Sequence, residues 1–175
     1  SPTGRRIDQT LVREWAQGSG ADLLVFVEVT DHWAKELTPM RNRWPHALLA
    51  LKPGHSGTLV LSRWPLRQVA VLSTHSRGTP DPVVEVAMPG RPWTLVPVHA
   101  NWPMGRLASA FRAADLRGLA TIAARNDWPL LAIGDFNLSP LSPHFAALLR
   151  DSRLRSAAAG RGWQPTWPVF LPVMG

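Results

Sequence analysis

Four side chains in this chain stand at the ends of apolar runs, where chemistry-bearing residues collect. Gly134-Asp135-Phe136-Asn137 follows Trp128-Pro129-Leu130-Leu131-Ala132-Ile133, a run that reads as a buried strand closed by a turn. A carboxylate and a carboxamide two residues apart point the same way if the extended geometry continues. One can then bind or activate a water or a metal while the other orients a phosphate oxygen. By itself the tetrapeptide is equally a strand ending in a Gly-Asp turn with an Asn cap. Glu28 lies within Leu24-Val25-Phe26-Val27-Glu28-Val29. An ionised carboxylate in such a strand is expensive unless paired or bound to a cation, and the alternative is a strand edge that turns it to solvent. His99 ends Leu95-Val96-Pro97-Val98. There it can stabilise a phosphoryl oxygen or act as an acid, or it can be a packing histidine. Asn101 and Arg112 suit phosphate contacts and equally suit loop or surface positions.

If these strand ends converge, the site holds two carboxylates, an amide and an imidazole. Hard carboxylate oxygens in a chain without cysteine suit Mg²⁺, or Mn²⁺, rather than zinc. Such an ion would polarise a scissile phosphate and neutralise charge in the transition state.

The elements that must position these residues follow from the hydrophobic pattern. Ile7, Leu11, Val12 and Trp15 fall at helical spacing, closed by Gly18 to Gly20. Leu23 to Val29 is a strand, and Asp31 caps a short helix through Leu37. His46 to Leu51, Thr58 to Ser62 and Gln68 to Leu72 are successive strands. Val83 to Met88 and Trp93 to His99 form a hairpin across Pro89-Gly90-Arg91-Pro92. Leu107 to Ala124 is a long helix with Phe111, Leu116, Leu119 and Ile122 on its apolar face. Leu130 to Ile133 is the strand before the Gly-Asp-Phe-Asn block, and Ser142-Pro143 opens a helix through Leu149. Leu154 to Gly175 is irregular. The order predicts an α+β fold: two packed mixed or antiparallel sheets flanked by helices, not a doubly wound parallel sheet.

At 175 residues and 45% hydrophobic, one domain over residues 1–175 with a sizeable core is expected. No run reaches the length of a membrane span, and no signal peptide is visible. The charge of +7 comes from 17 Arg and two Lys, scattered rather than clustered. It favours polyanionic partners, nucleic acid or lipid headgroups, although a GC-rich genome gives the same composition. The absence of cysteine excludes disulfides and thiolate metal sites. Trp44, Trp64, Trp102, Trp128 and Trp167 each precede Pro, a pattern of packed loop corners.

The blocks in order resemble the endonuclease/exonuclease/phosphatase superfamily, the deoxyribonuclease I-like fold. Asp22 to Val29 resembles the strand with the metal-binding Glu, with Val27 where Gln is common. Gly57 to Leu66, Gly-Thr-Leu-Val-Leu-Ser-Arg-Trp-Pro-Leu, resembles the family's Leu-Ser-Arg-x-Pro-Leu hairpin. Val98-His99-Ala100-Asn101-Trp102-Pro103 and the later Arg112 resemble the His strand and its following helix. Gly134 to Pro140 is the most specific block, and Gln164 to Pro168 resembles the Thr-Trp segment.

The resemblance implies a four-layer sandwich and a Mg²⁺-dependent phosphoesterase that works by water attack. Glu28 and Asp135 would be metal ligands. Asp135 would also position or deprotonate the water, Asn137 would contact phosphate oxygens, and His99 would stabilise the pentacovalent state; Asn101 and Arg112 would bind substrate. Two departures are expected: the family's first, Asn-bearing strand and its last, Asp-His strand have no counterpart. His75 and His144 lie in the wrong contexts to replace that His. This predicts an incomplete domain, truncated at both ends, with little or no activity by itself and with unpaired sheet edges. The other expectation is a non-catalytic domain of the same fold that binds polyanions or a protein. Members attached to membrane-spanning segments favour the extracytoplasmic side of a bacterial membrane.

Overall fold

The structure, a computed structural model, describes residues 9–51, 56–72, 81–100 and 105–162. Helix α1 (Gln9–Gly18) leads into β1 (Leu23–Val29), α2 (Asp31–Glu36) and a 3₁₀ helix (Thr38–Asn42). Strands β2 (His46–Ala50), β3 (Gly57–Ser62), β4 (Leu66–Leu72), β5 (Asp81–Val86) and β6 (Trp93–His99) follow. Helix α3 (Gly105–Arg125), β7 (Leu130–Asp135) and α4 (Pro143–Asp151) complete the described elements.

The strands form two sheets, ordered β1-β3-β2 and β4-β5-β6-β7. The first is antiparallel throughout. The second is mixed, because β7 joins β6 in parallel after the α3 crossover. Three apolar clusters account for the layering. One packs Ala16, Leu37, Met40 and Trp44 onto Leu24, Leu59 and Leu61 of the first sheet. A second lies between the sheets, where Val60 meets Val84, Val86 and Leu95. The third packs Leu116, Leu119 and Leu148 of α3 and α4 onto Val83, Val96 and Val98. The alternation along β6 explains this division: Leu95 faces the other sheet, whereas Val96 and Val98 face the helices. The expected α+β, four-layer arrangement is therefore observed.

Several local expectations change. Thr30, not Asp31, caps α2; its hydroxyl accepts the Trp33 N–H at 3.3 Å. Strands β4 and β5 begin two residues earlier than the apolar pattern places them, because Leu66–Arg67 pair with Val86–Glu85 and Leu72 with Asp81. The buried side of α3 includes Arg112, Asp115, Ala120 and Ala123 beside Leu116 and Leu119, while Phe111 is only half-buried. Strand β7 is not the buried strand its apolar run suggests. It is a sheet edge among the described residues, with Leu131 and Ile133 39% and 42% exposed. Trp44 is a packed corner, fully buried with Nε1 donating to the Ala21 carbonyl, but Trp128 is exposed. Trp102 and Trp167 lie outside the described residues. So do Ile7, at the head of the first helical pattern, and most of the irregular C-terminal stretch.

Candidate active site

Glu28, His99 and Asp135 come from three strands on both sheets. Strict alternation along β1 would place Glu28 on the face of Leu24 and Phe26, which packs under the helices. Pairing with β3 shifts register between Phe26 and Val29, so Val27 and Glu28 form a bulge. Glu28 sits on it with φ 58°, a left-handed conformation rare for a non-glycine residue. The bulge turns the side chain toward the second sheet. Its Oε1 lies 3.5 Å from His99 Nε2, an ion pair whenever the imidazole is protonated. The Glu28 side chain is 72% exposed and that of His99 31%. Glu28 is therefore not the costly buried carboxylate that its apolar flanks suggest.

His99 and Asp135 are direct neighbours in the β6–β7 register. Past Asp135 the extended geometry stops, contrary to the expectation that Asp135 and Asn137 share a face by alternation. Asn137 is left-handed, φ 48°. Its N–H donates to Asp135 Oδ1 at 2.8 Å, folding the chain into an Asx turn. The Asn137 Nδ2 donates to the Ala100 carbonyl at 2.6 Å, and the Ala100 N–H donates to the Asp135 carbonyl at 2.9 Å. The turn is thus tied to the end of β6 from both directions. Gly134 permits the approach: a Cβ there would lie 2.0 Å from the Val98 carbonyl oxygen, at a backbone φ of 144°.

Arg112, expected as a phosphate contact, is buried in α3. Its Nη1 donates to the Asn137 carbonyl at 2.9 Å, and desolvation lowers its pKa. In this structure it braces the Asx turn. Asn101, together with His75 and the Gln164 to Pro168 block, lies outside the described residues. His144 lines the groove between α3 and α4 with Arg117 and Ala147, apart from these strand ends.

Two buried acids escape a sequence reading. Asp81, 3% exposed, accepts the His99 backbone N–H through Oδ2 at 3.0 Å. Burial pushes its pKa up to about 6, against the opposing hydrogen bond and charge of His99 and with added repulsion from Asp115. Asp115 is buried on the same side of α3 as Arg112. Their signal was an acid at the head of an apolar strand and an Arg-Asp pair at helical spacing among apolar residues.

The arrangement presents exposed carboxylate oxygens beside an imidazole and a carboxamide held by its own backbone contacts. Among the described residues no group of three or more His, Asp and Glu surrounds a common point. The exposed oxygen donors on these strand ends are the Glu28 and Asp135 carboxylates. Two hard oxygen donors fit Mg²⁺, which takes one or two carboxylates and keeps water or substrate phosphate elsewhere. They do not make a closed zinc site.

The fold recurs in solved structures. Sphingomyelinase C from Streptomyces griseocarneus is similar with TM-score 0.69 and 18% identity, over 85% of this chain and 63% of that one. SmcL gives TM-score 0.72 and 18% identity over 91% and 65%. A truncated Caenorhabditis elegans TDP2 gives 0.59 and 19% over 75% and 55%. The chain thus spans less than two thirds of the length of each of these structures. No curated protein sequence matches it. Among the described residues no helix is long and apolar enough to cross a membrane. Residues 1–174 match the Endonuclease/Exonuclease/phosphatase family, and the chain belongs to that family.

Proposed function

We propose that the protein containing this chain is a Mg²⁺-dependent phosphoesterase that hydrolyses a phosphate ester by direct attack of water. The observation that carries the reading is the meeting of Glu28 and His99 across two sheets at 3.5 Å, with Asp135 beside His99 in register. Strand ends from separate sheets bring together oxygen donors and an imidazole that packing alone does not require.

Glu28 and Asp135 would hold the cation, with Mn²⁺ as a substitute. When bound, it supplies positive charge against the phosphoryl oxygens. Asp135 keeps one carboxylate oxygen engaged with the Asn137 N–H. Its Oδ2 is the atom that orients the attacking water or takes its proton. His99 would donate an imidazole N–H to a phosphoryl oxygen as charge develops. One N–H of the Asn137 amide donates to the Ala100 carbonyl, which leaves its second N–H for a phosphate oxygen. Its Oδ1 is an acceptor, so the same side chain can hold the Asp135 turn, contact phosphate and accept from the attacking water. Arg112 supports that turn from below, and Asn101 remains a substrate contact by analogy with the family block. Positioning and charge neutralisation suffice for in-line attack on phosphorus, without a covalent nucleophile.

The test is hydrolysis by the full-length protein of bis-p-nitrophenyl phosphate, DNA and sphingomyelin in parallel, with Mg²⁺, Mn²⁺ or chelator. The expected result is metal-dependent turnover of at least one substrate, lost by about 10³-fold in Asp135→Ala. Intact phosphodiester hydrolysis by Asp135→Ala overturns the assignment. Binding of DNA or anionic vesicles without turnover of any ester supports a non-catalytic polyanion-binding domain instead.

A further inference from the structure

We propose that Asp81 is a positioning residue for His99: its buried carboxylate replaces the missing end of the β5–β6 ladder and fixes the imidazole-bearing residue between Glu28 and Asp135. Its consequence for catalysis rests on the phosphoesterase reading above.

The β5–β6 pairing runs from Val86↔Trp93 to Val84↔Leu95 and is not continued toward the site. Each strand carries a proline just beyond, Pro82 in β5 and Pro97 in β6, and neither can donate to a ladder. The amides of β6 alternate in direction. Thr94 and Ala100 donate to carbonyls at the two ends of β7, those of Pro129 and Asp135. The His99 amide therefore points to the opposite, β5 side. No ladder carbonyl receives it there; Asp81 Oδ2 does, at 3.0 Å. A buried backbone N–H requires a partner, and here a side chain supplies it.

The choice of a carboxylate is costly. Asp81 is 3% exposed, opposite Leu72 in register and next to Val83 in the apolar layer under α3. Packing alone would favour an apolar residue at this place. What the carboxylate holds is the backbone of one site residue. From the other side, Ala100 is tied to Asp135 and Asn137 through its N–H and its carbonyl. The dipeptide His99-Ala100 is consequently clamped between Asp81 and the Asx turn. A shift of His99 along β6 would break its 3.5 Å approach to Glu28.

The experiment compares Asp81→Asn, which keeps an acceptor oxygen, with Asp81→Ala in the full-length protein. Hydrogen exchange at the His99 amide is read by NMR, and kcat and KM are read on bis-p-nitrophenyl phosphate with Mg²⁺. In Asp81→Ala the His99 amide should exchange about tenfold faster or more, while the Leu95 and Val86 amides keep their protection. Its kcat should fall about tenfold or more with KM within about threefold. Asp81→Asn should keep both His99 protection and kcat within about threefold of wild type. Should Asp81→Ala not fold, Asp81→Val carries the same comparison with a β-branched apolar side chain. Unchanged His99 protection in the Ala or Val variant overturns the proposal, as does an Asn variant that loses as much as Ala. A wild-type protein without any esterase activity overturns the phosphoesterase reading, and the exchange data still decide the anchoring role.

Discussion

Glu28 and Asp135 reach the same end of the sandwich by opposite constructions. The Asp135–Asn137 turn is held by backbone and side-chain hydrogen bonds to β6 and α3, including the Asn137 N–H to Asp135, Asn137 Nδ2 to Ala100 and Arg112 to Asn137. Glu28 sits on its own strand bulge and, among the described residues, pairs with His99. Both ends use left-handed backbone at a non-glycine residue. At Asn137 that conformation suits the residue type and is braced on several sides. At Glu28 it suits the residue poorly and the surrounding chain must hold it. The difference separates a pre-organised wall from an exposed carboxylate. Under the proposed function, the first would orient the water and the second would help hold the cation.

The strongest way to break this comparison is Gly134→Ala. A Cβ placed 2.0 Å from the Val98 carbonyl oxygen has no room, because the obstacle is backbone. The expected loss is about 3 kcal/mol or more by urea denaturation. A loss below about 1 kcal/mol would show that the turn is not pressed onto β6 as described.

The clamp on His99 predicts a pH effect of the next size. The folded pKa of Asp81 is raised from 3.8 to about 6, so the folded chain binds this proton more tightly than the unfolded one. The contribution to stability is complete below about pH 4 and is lost as pH rises through 6. At 1.36 kcal/mol per unit the loss is about 2–3 kcal/mol. Asp81→Asn should flatten that fall and be the more stable protein at pH 8, measured by thermal or urea unfolding at pH 4, 6 and 8. An Asn variant with the wild-type pH dependence would assign the titration to another group.

The smaller effects sharpen the contrast itself. Asn137→Ala removes the hydrogen bond to Ala100 and an Asn suited to φ 48°. It should cost about 1–2 kcal/mol. Glu28→Gln changes an exposed side chain and should move stability by no more than about 0.5 kcal/mol, while raising the Mg²⁺ needed for hydrolysis. Equal stability losses in the two variants would erase the distinction between braced wall and exposed carboxylate.

Much of this was legible in the chain, and the reasons differ by residue. Strand β6 was read to its ends, Trp93–His99, because a branched apolar run bounded by proline and glycine has few other readings. Strand β7 was placed but its burial was not, since an apolar run does not reveal whether a neighbour covers it. Asp135, His99 and Glu28 stood out as polar residues at apolar run ends. Asp81 and Asp115 did not, because a buried acid in a strand or helix looks like any surface acid until its surroundings are known.

The amino-acid order by itself determined the strand and helix succession, the α+β class and the set of polar residues delivered to strand ends, because each follows from local periodicity and turn chemistry. Tertiary structure decided the rest. The bulge that moves Glu28 to the face of His99 depends on how β1 pairs with β3. The Asx turn, rather than strand alternation, brings the Asn137 backbone onto the Asp135 carboxylate and its side chain onto Ala100. The burial of Arg112 and Asp81 depends on what α3 and β5 pack against. These are contacts between residues distant in the chain, and no local pattern encodes which partner a strand or a buried charge will meet.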